Sequence, residues 1–325
     1  MSEQSNKMSR HNKNKSLAPI ALFVYKRPEH TLQALIALSG NPEFEFSPLF
    51  IFCDGSRSVE DNFDVERTRV IVKKWQHPRK TIFEAQKNRG LAESVISGVT
   101  ELTDHFGKVI VVEDDLIVSN NFLRYLNAAL NKYQDYPQVM QVSAYMFPIQ
   151  EFSSRKETLF LPNISSWGWA TWDRAWKLFD TQAKGWDSLL TKKDLRYRFN
   201  VEGTYDYSDM LLRQMSGKID SWAIKWNWCV FLHGGLVSYP PTSFVRNVGF
   251  DGSGTHCNVN KYYDIQVSST WENLSFTERI EVSSQEKELV KKALLVISGS
   301  NIVRILKLVR ASIRRLIVYH YGVND

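Results

Sequence analysis

The chain has 325 residues and a formal charge of +6, enough length for one large or two modest domains with a substantial core. Hydrophobic residues make up 43% and charged residues 23%, which excludes a wholly disordered, collagen-like or coiled-coil chain. The first 15 residues carry +3 and residues 291–325 carry +6, so the body between them is slightly acidic and offers no compositional case for a nucleic-acid groove.

Residues 1–16 lack an apolar h-region and read as a solvated, disordered tail rather than a secretory signal. Pro19–Tyr25 is a short apolar run that predicts a buried strand ending in the loop Lys26-Arg27-Pro28. Glu29–Ser39 has helical periodicity and stops before Gly40. Pro48–Cys53 predicts a second strand, ending at Asp54-Gly55-Ser56. Val65–Trp75 reads as helix, Lys80–Ala85 as a short strand and Leu91–Phe106 as an amphipathic helix. Lys108–Val112 is a strand that runs into Glu113-Asp114-Asp115, and Phe122–Tyr133 is helical again. Alternation of this kind predicts an α/β fold: a mostly parallel, Rossmann-like sheet with helices on both faces and ligands beyond the carboxyl ends of the strands.

From about residue 137 the pattern changes. Eight of the ten tryptophans fall in 137–258, so this stretch is expected to pack as a second half of the same domain rather than stand alone. No run is apolar enough, for long enough, to cross a bilayer. The cysteines Cys53, Cys229 and Cys257 are scattered and odd in number, which argues against a disulfide framework and for a reducing compartment.

Glu113-Asp114-Asp115 puts three carboxylates at the mouth of an apolar strand. Their mutual repulsion must be offset by a cation or by hydrogen bonds. Oxygen-only ligation suits Mg²⁺ or Mn²⁺, with diphosphate oxygens as co-ligands. A solvated turn or helix cap is the plainer alternative.

The segment VIVVEDDLIVSNNFLRYL resembles the strand, acidic motif and helix of GT-A-fold glycosyltransferases, most closely the bacterial family 2 sugar transferases and N-acetylglucosaminyltransferase I. FVYKRPEH, FCDGS, WGWATWDRAW and SFVRNVGFDGSGTH resemble further segments of that family in the right order, over about residues 18–258. The resemblance implies Asp115 as metal ligand, Asp114 toward the ribose or a metal-bound water, and Glu113 toward the donor sugar. It implies Arg27 at the nucleotide phosphates and Asp54 at the base, where an Asp-Gly turn closing the strand is a compatible reading. Trp167 and Trp169 would stack on sugar faces, whereas Trp172, Trp176, Trp222, Trp226 and Trp228 read as core. Gly252 and Gly254 would let the late loop close over the donor, with His256 contacting the metal or diphosphate, or merely incidental to a flexible loop. The carboxylate that takes the acceptor proton best matches Asp209, with Asp206 and Asp220 as rivals.

Asn301–Tyr319 predicts a basic amphipathic helix, suited to an anionic inner-membrane surface or to docking on the body or a second subunit. The expected organisation is therefore a tail (1–16), a nucleotide-sugar-binding half (17–136), an acceptor and catalytic half (137–258) and a C-terminal helical extension (259–325). The resemblance implies a cytoplasmic, inverting, metal-dependent hexosyl- or N-acetylhexosaminyltransferase of surface polysaccharide or lipopolysaccharide biosynthesis. It would use a UDP-sugar or related donor, a glycan or lipid-linked acceptor, and Mn²⁺ or Mg²⁺. A catalytically silent sugar-binding protein of the same fold is a rival reading. A nucleotidyltransferase is another, though KRPEHT lacks the glycine its phosphate loop would need.

Overall fold

In the computed structural model, which describes residues 17–250, 267–268, 271 and 274–297, the first half of the chain alternates strand and helix. β1 (Ile20–Val24) leads into α1 (Pro28–Ser39), with Pro28 at the first helical position, where its missing N–H costs nothing. β2 (Leu49–Cys53), a 3-10 turn at Val59–Asp61, α2 (Asn62–Lys74), β3 (Lys80–Glu84) and α3 (Leu91–Phe106) follow. Gly107 (φ 78°) closes α3 in a left-handed cap that a side chain would strain. β4 (Lys108–Glu113) ends in the acidic motif, after which come the short β5 (Leu116–Val118) and α4 (Phe122–Lys132).

The second half supplies β6 (Val139–Ser143), β7 (Leu159–Leu161), β8 (Trp169–Trp172) and the short helices α5 (Asp173–Trp176), α6 (Ser188–Thr191) and α7 (Lys193–Phe199). α8 (Tyr207–Met215), α9 (Trp222–Leu232), β9 (Leu236–Tyr239), β10 (Val245–Asn247) and α10 (Ser284–Ile297) complete the described elements.

Eight strands form one sheet in the order β3-β2-β1-β4-β8-β6-β9-β7. β3, β2, β1 and β4 pair in parallel, β8 runs against β4 and β6, β9 lies parallel to β6, and β7 runs against β9. The sheet is thus mostly parallel, with two reversed strands, both from the second half. Residues 17–136 and 137–250 share this single sheet.

Period-2 alternation in β1 serves both faces. Ile20, Leu22 and Val24 pack with Leu35 and Leu38 of α1 and with Leu123, Leu126 and Leu130 of α4. Ala21 and Phe23 face the other way, against Val95, Val99 and Leu102 of α3 and the Trp222 and Trp226 side of α9. The strand is buried along its whole length, as a parallel strand covered on both faces must be. β10 pairs antiparallel with β5, with Asn247 opposite Leu116, and so ties residues 245–247 to the segment just after the acidic motif.

Among the described residues no helix is long and apolar enough to cross a membrane. The tail 1–16, Gly252, Gly254, His256, Cys257 and the helix expected at 301–319 lie outside the described residues.

Candidate functional site

Strand order reverses between β1 and β4: β2 and β3 lie on one side of β1, and β4 on the other. Open α/β sheets leave a crevice at such a point, beyond the carboxyl ends of the strands. Here it is a cavity of about 600 Å³. β1 contributes Tyr25, Lys26 and Arg27, β2 leads to Asp54 and Arg57, and β4 delivers Glu113, Asp114 and Asp115. The turn before α3 adds Asn88, Arg89 and Gly90, and the turn before α9 adds Lys218 and Asp220.

The acidic motif and Arg27 form the floor. Arg27 Nη1 lies 3.0 Å from Asp115 Oδ2 and 3.6 Å from Asp114 Oδ1. The Tyr25 backbone N–H donates to Asp114 Oδ2 at 3.3 Å. Burial, with Asp115 as neighbour, pushes the Asp114 carboxyl up to about 7, while Arg27 pulls the other way. Desolvation and both aspartates raise Glu113 well above the usual carboxylate range. Without a ligand the cluster therefore holds more negative charge than its single guanidinium neutralises, and it favours protons or a cation.

A divalent cation fits this donor set in one respect: Asp115 Oδ1 is buried and has no hydrogen-bond partner, although such oxygens are normally satisfied. The groups present are hard oxygens, which suits Mg²⁺ or Mn²⁺. Among the described residues no group of three or more His, Cys, Asp or Glu side chains is arranged to hold a metal ion. Protein ligation would thus be sparse and leave most of the coordination shell to phosphate and water.

Asp54 reaches the cavity, but its carboxylate is already engaged. Oδ1 accepts from the backbone N–H of Gly55 and of Arg89, both at 2.8 Å. Oδ2 accepts from Asn88 Nδ2 and the Gly90 N–H, both at 3.0 Å. A carboxylate offers about four acceptor positions, so little is left for a base.

The three candidate bases separate by position. Asp206 caps α8, accepting from the Asp209 N–H at 3.2 Å, and is exposed. Asp209 sits in the first turn of α8, exposed, and does not line the cavity, so the placement expected from the sequence is corrected. Asp220 does line the cavity, and its Oδ2 faces the Ala92 N–H at 3.4 Å. A Cβ on Gly90 would lie 2.9 Å from that same oxygen, at a φ of +81° that already favours glycine.

The tryptophans also divide. Trp169 is 0% exposed and stacks on Trp222 with ring centroids 4.9 Å apart, so it cannot stack on a sugar. Trp167 is half-buried outside the cavity and packs edge-on to Tyr145 at 4.6 Å. Trp172, Trp176, Trp222, Trp226 and Trp228 are buried, as expected. In the same motif Arg174 stacks on Trp172 at 4.4 Å and donates to the Tyr133 and Gln134 carbonyls, a structural brace beyond the end of α4. Of the late glycine-rich loop, Gly249 is described, and it lies against the acidic motif, a contact the sequence did not signal: a Cβ there would lie 2.4 Å from Asp115 Oδ2. Asn88 was missed too, because nothing in NRG marks it as facing an aspartate 34 residues earlier.

No family model and no curated protein matches the chain. Among solved structures it is similar to the galactosyltransferase LgtC in complex with donor and acceptor sugar analogues (8% identity, 68% of this chain and 72% of that one, TM-score 0.35). It is similar also to the mannosyltransferase PcManGT from Pyrobaculum calidifontis in complex with GDP-Man and Mn²⁺ (11%, 68% and 75%, TM-score 0.33). Mouse xyloside xylosyltransferase 1 is a third (12%, 68% and 83%, TM-score 0.35). All three are sugar transferases. What the cleft itself can do follows from its own residues.

Proposed function

We propose that the chain is an inverting glycosyltransferase that moves a hexosyl or N-acetylhexosaminyl group from a nucleoside-diphosphate sugar, a UDP-sugar above all, to a glycan or lipid-linked acceptor. The observation that carries this reading is the meeting, at the switch point of the sheet, of Arg27, an Asp115 with an orphaned carboxylate oxygen, and Asp220. Arg27 supplies a permanently charged fork for the diphosphate. Asp115 would hold a divalent cation, Mn²⁺ or Mg²⁺, whose chemistry is Lewis-acid neutralisation of the departing diphosphate.

Asp220, on the cavity wall beside Gly90 and Ala92, takes the acceptor hydroxyl proton. The acceptor oxygen then forms a bond to the anomeric carbon as the carbon–oxygen bond to the β-phosphate breaks, and the bonding pair leaves with the nucleoside diphosphate. Attack on the face opposite the leaving group inverts the anomeric configuration. Asp209 is not among the residues that line the cavity, and for that reason we assign the base to Asp220.

Surface polysaccharide synthesis on the cytoplasmic face of a membrane is the setting we propose. The buried free thiols of Cys53 and Cys229 suit a reducing compartment. The test is release of nucleoside diphosphate from a panel of nucleotide sugars with Mn²⁺, for the wild type and for Asp115→Asn. Turnover in the wild type and its loss in the variant support the reading. Absence of turnover and of nucleotide binding in the wild type overturns it.

A further inference from the structure

Asp54 spends its carboxylate on the segment 88–90, and what that leaves exposed is informative. Asn88 Nδ2 has two hydrogens, and both are placed: one toward Asp54 Oδ2 at 3.0 Å and one toward the Gly55 carbonyl at 2.9 Å. Two acceptors on one side fix the orientation of the amide, because a flipped amide would set oxygen against oxygen. The remaining polar atom, Asn88 Oδ1, receives no donor among the described residues, and Asn88 lines the cavity.

The lining of the same cavity also includes apolar aromatic residues. Phe23 and Phe52 line the cavity and stack on each other with centroids 4.9 Å apart. Phe52 in turn stacks on Phe83 at 5.0 Å, and both residues, with Arg89, line a second hollow of about 210 Å³. The floor with Arg27 and Asp115 suits phosphate, which leaves the end lined by Phe52 for a planar ring, meeting the edge of Phe52 because both faces of that ring are already stacked.

We infer that Asn88, oriented by Asp54, is the residue that selects the nucleobase, its Oδ1 accepting the ring N–H of a lactam or imide base. Asp54 is then a positioning residue and does not touch the base. The chemistry chooses a class. Uracil, thymine and guanine present an N–H at the centre of their pairing edge, whereas cytosine and adenine present a bare ring nitrogen, which a fixed carbonyl oxygen repels. A site built to accept a hydrogen bond discriminates best through the group it would leave unpaired. The inference rests on the nucleotide-sugar reading above and narrows it.

The test is calorimetric binding of UDP, GDP, CDP and ADP with Mn²⁺ to the full chain. For the wild type, UDP or GDP should bind at least about tenfold more tightly than CDP and ADP. In Asn88→Ala the preferred nucleotide should weaken about three- to tenfold, the others should be unaffected, and the preference should collapse. Asn88→Ser is read by the same criterion should the alanine variant melt without cooperativity. A UDP methylated at N3 adds a second readout: methylation should cost the wild type about tenfold and the Asn88 variants almost nothing.

Preference retained by both Asn88 variants, or abolished by Asp54→Asn while Asn88→Ala keeps it, overturns the inference and leaves the nucleotide-sugar reading standing. If the wild type binds none of the four nucleotides, both fall together.

Discussion

Gly249 lies so close against Asp115 that a Cβ at residue 249 would sit 2.4 Å from Asp115 Oδ2 and 3.1 Å from Asp115 Cβ. The contact is held from both sides. The Val248 N–H donates to the Asp115 carbonyl at 2.9 Å, and β10 pairs with β5 immediately beyond the acidic motif. Gly249→Ala must push either Asp115 or residues 247–250 aside. Overpacking of this kind costs about 1–3 kcal/mol. We expect a lower melting temperature and a loss of transfer out of proportion to it, about tenfold or more, because the displaced carboxylate is the proposed metal ligand. Thermal melts and nucleoside-diphosphate release, measured on the same preparation, check this.

The Arg27–Asp115 pair predicts a split in kinetics. Arg27 keeps company with Asp115 at 3.0 Å and Asp114 at 3.6 Å, so it serves the cluster before any donor arrives and the diphosphate afterwards. Arg27→Ala should raise the donor KM about tenfold or more, and Arg27→Lys should recover only part, since an ammonium restores the charge but not the planar fork. A chelator should abolish turnover, and Mn²⁺ or Mg²⁺ should restore it. Asp115→Asn should lose turnover with its circular dichroism spectrum unchanged. A full-speed Asp115→Asn enzyme would remove Asp115 from the reaction.

Base assignment makes the sharpest contrast. Asp220 lines the cleft, whereas Asp209 faces solvent from α8 and Asp206 is occupied as the cap of that helix, holding Asn200, Ser208 and the Asp209 N–H. Asp220→Asn should lower kcat about 10²–10⁴-fold. Asp209→Asn should stay within about threefold of wild type, the mark of an exposed helical side chain. Equal loss in both variants would show that the site extends to α8.

Some of this arrangement was legible in the residues and some was not, for a physical reason that recurs. β1, β2 and β4 announce themselves because a strand buried on both faces needs an unbroken apolar run, and each stops where a polar cluster begins. The meeting of Arg27 with Asp115 follows, since parallel neighbours end side by side. Trp169 misled because WGWATW reads alike whether it lines a pocket or a core. Its burial is decided by β8 inserting antiparallel between β4 and β6, a pairing that no local pattern encodes. Asp209 matches best along the chain, but Asp220 is the one of the three acids that lines the cavity, where Gly90 and the Ala92 N–H lie against it. Along the chain Asp54 reads as free for a base, whereas in the fold the segment 88–90 occupies its carboxylate. Each miss involves a contact between residues far apart in sequence.

The final prediction concerns α10, the described helix nearest the C-terminus, and its dependence on pH. Glu202 holds it through two lysines: Lys291 Nζ lies 2.8 Å from Glu202 Oε2, and Lys287 pairs with the other oxygen. Arg155 adds a bond to Glu286 at 2.5 Å. The lysines, Lys287 first, hold the Glu202 carboxyl down to about 2. Because the folded value lies below the ordinary one, the stabilisation is complete above about pH 4.5 and disappears as the pH falls through about 2. A pair of this exposure is worth about 1 kcal/mol or less, and a network somewhat more. Glu202→Gln should therefore lower the urea midpoint at pH 7, and the gap from wild type should close progressively between pH 4.5 and pH 2. Glu202 also carries a φ of +57°, in the left-handed region, so Glu202→Gly removes the ion pairs while relieving the backbone. It should be less destabilised than Glu202→Gln at neutral pH, and more stable than wild type near pH 2. If Glu202→Gln and wild type share one midpoint at every pH, the lysine contacts do not hold α10 in solution.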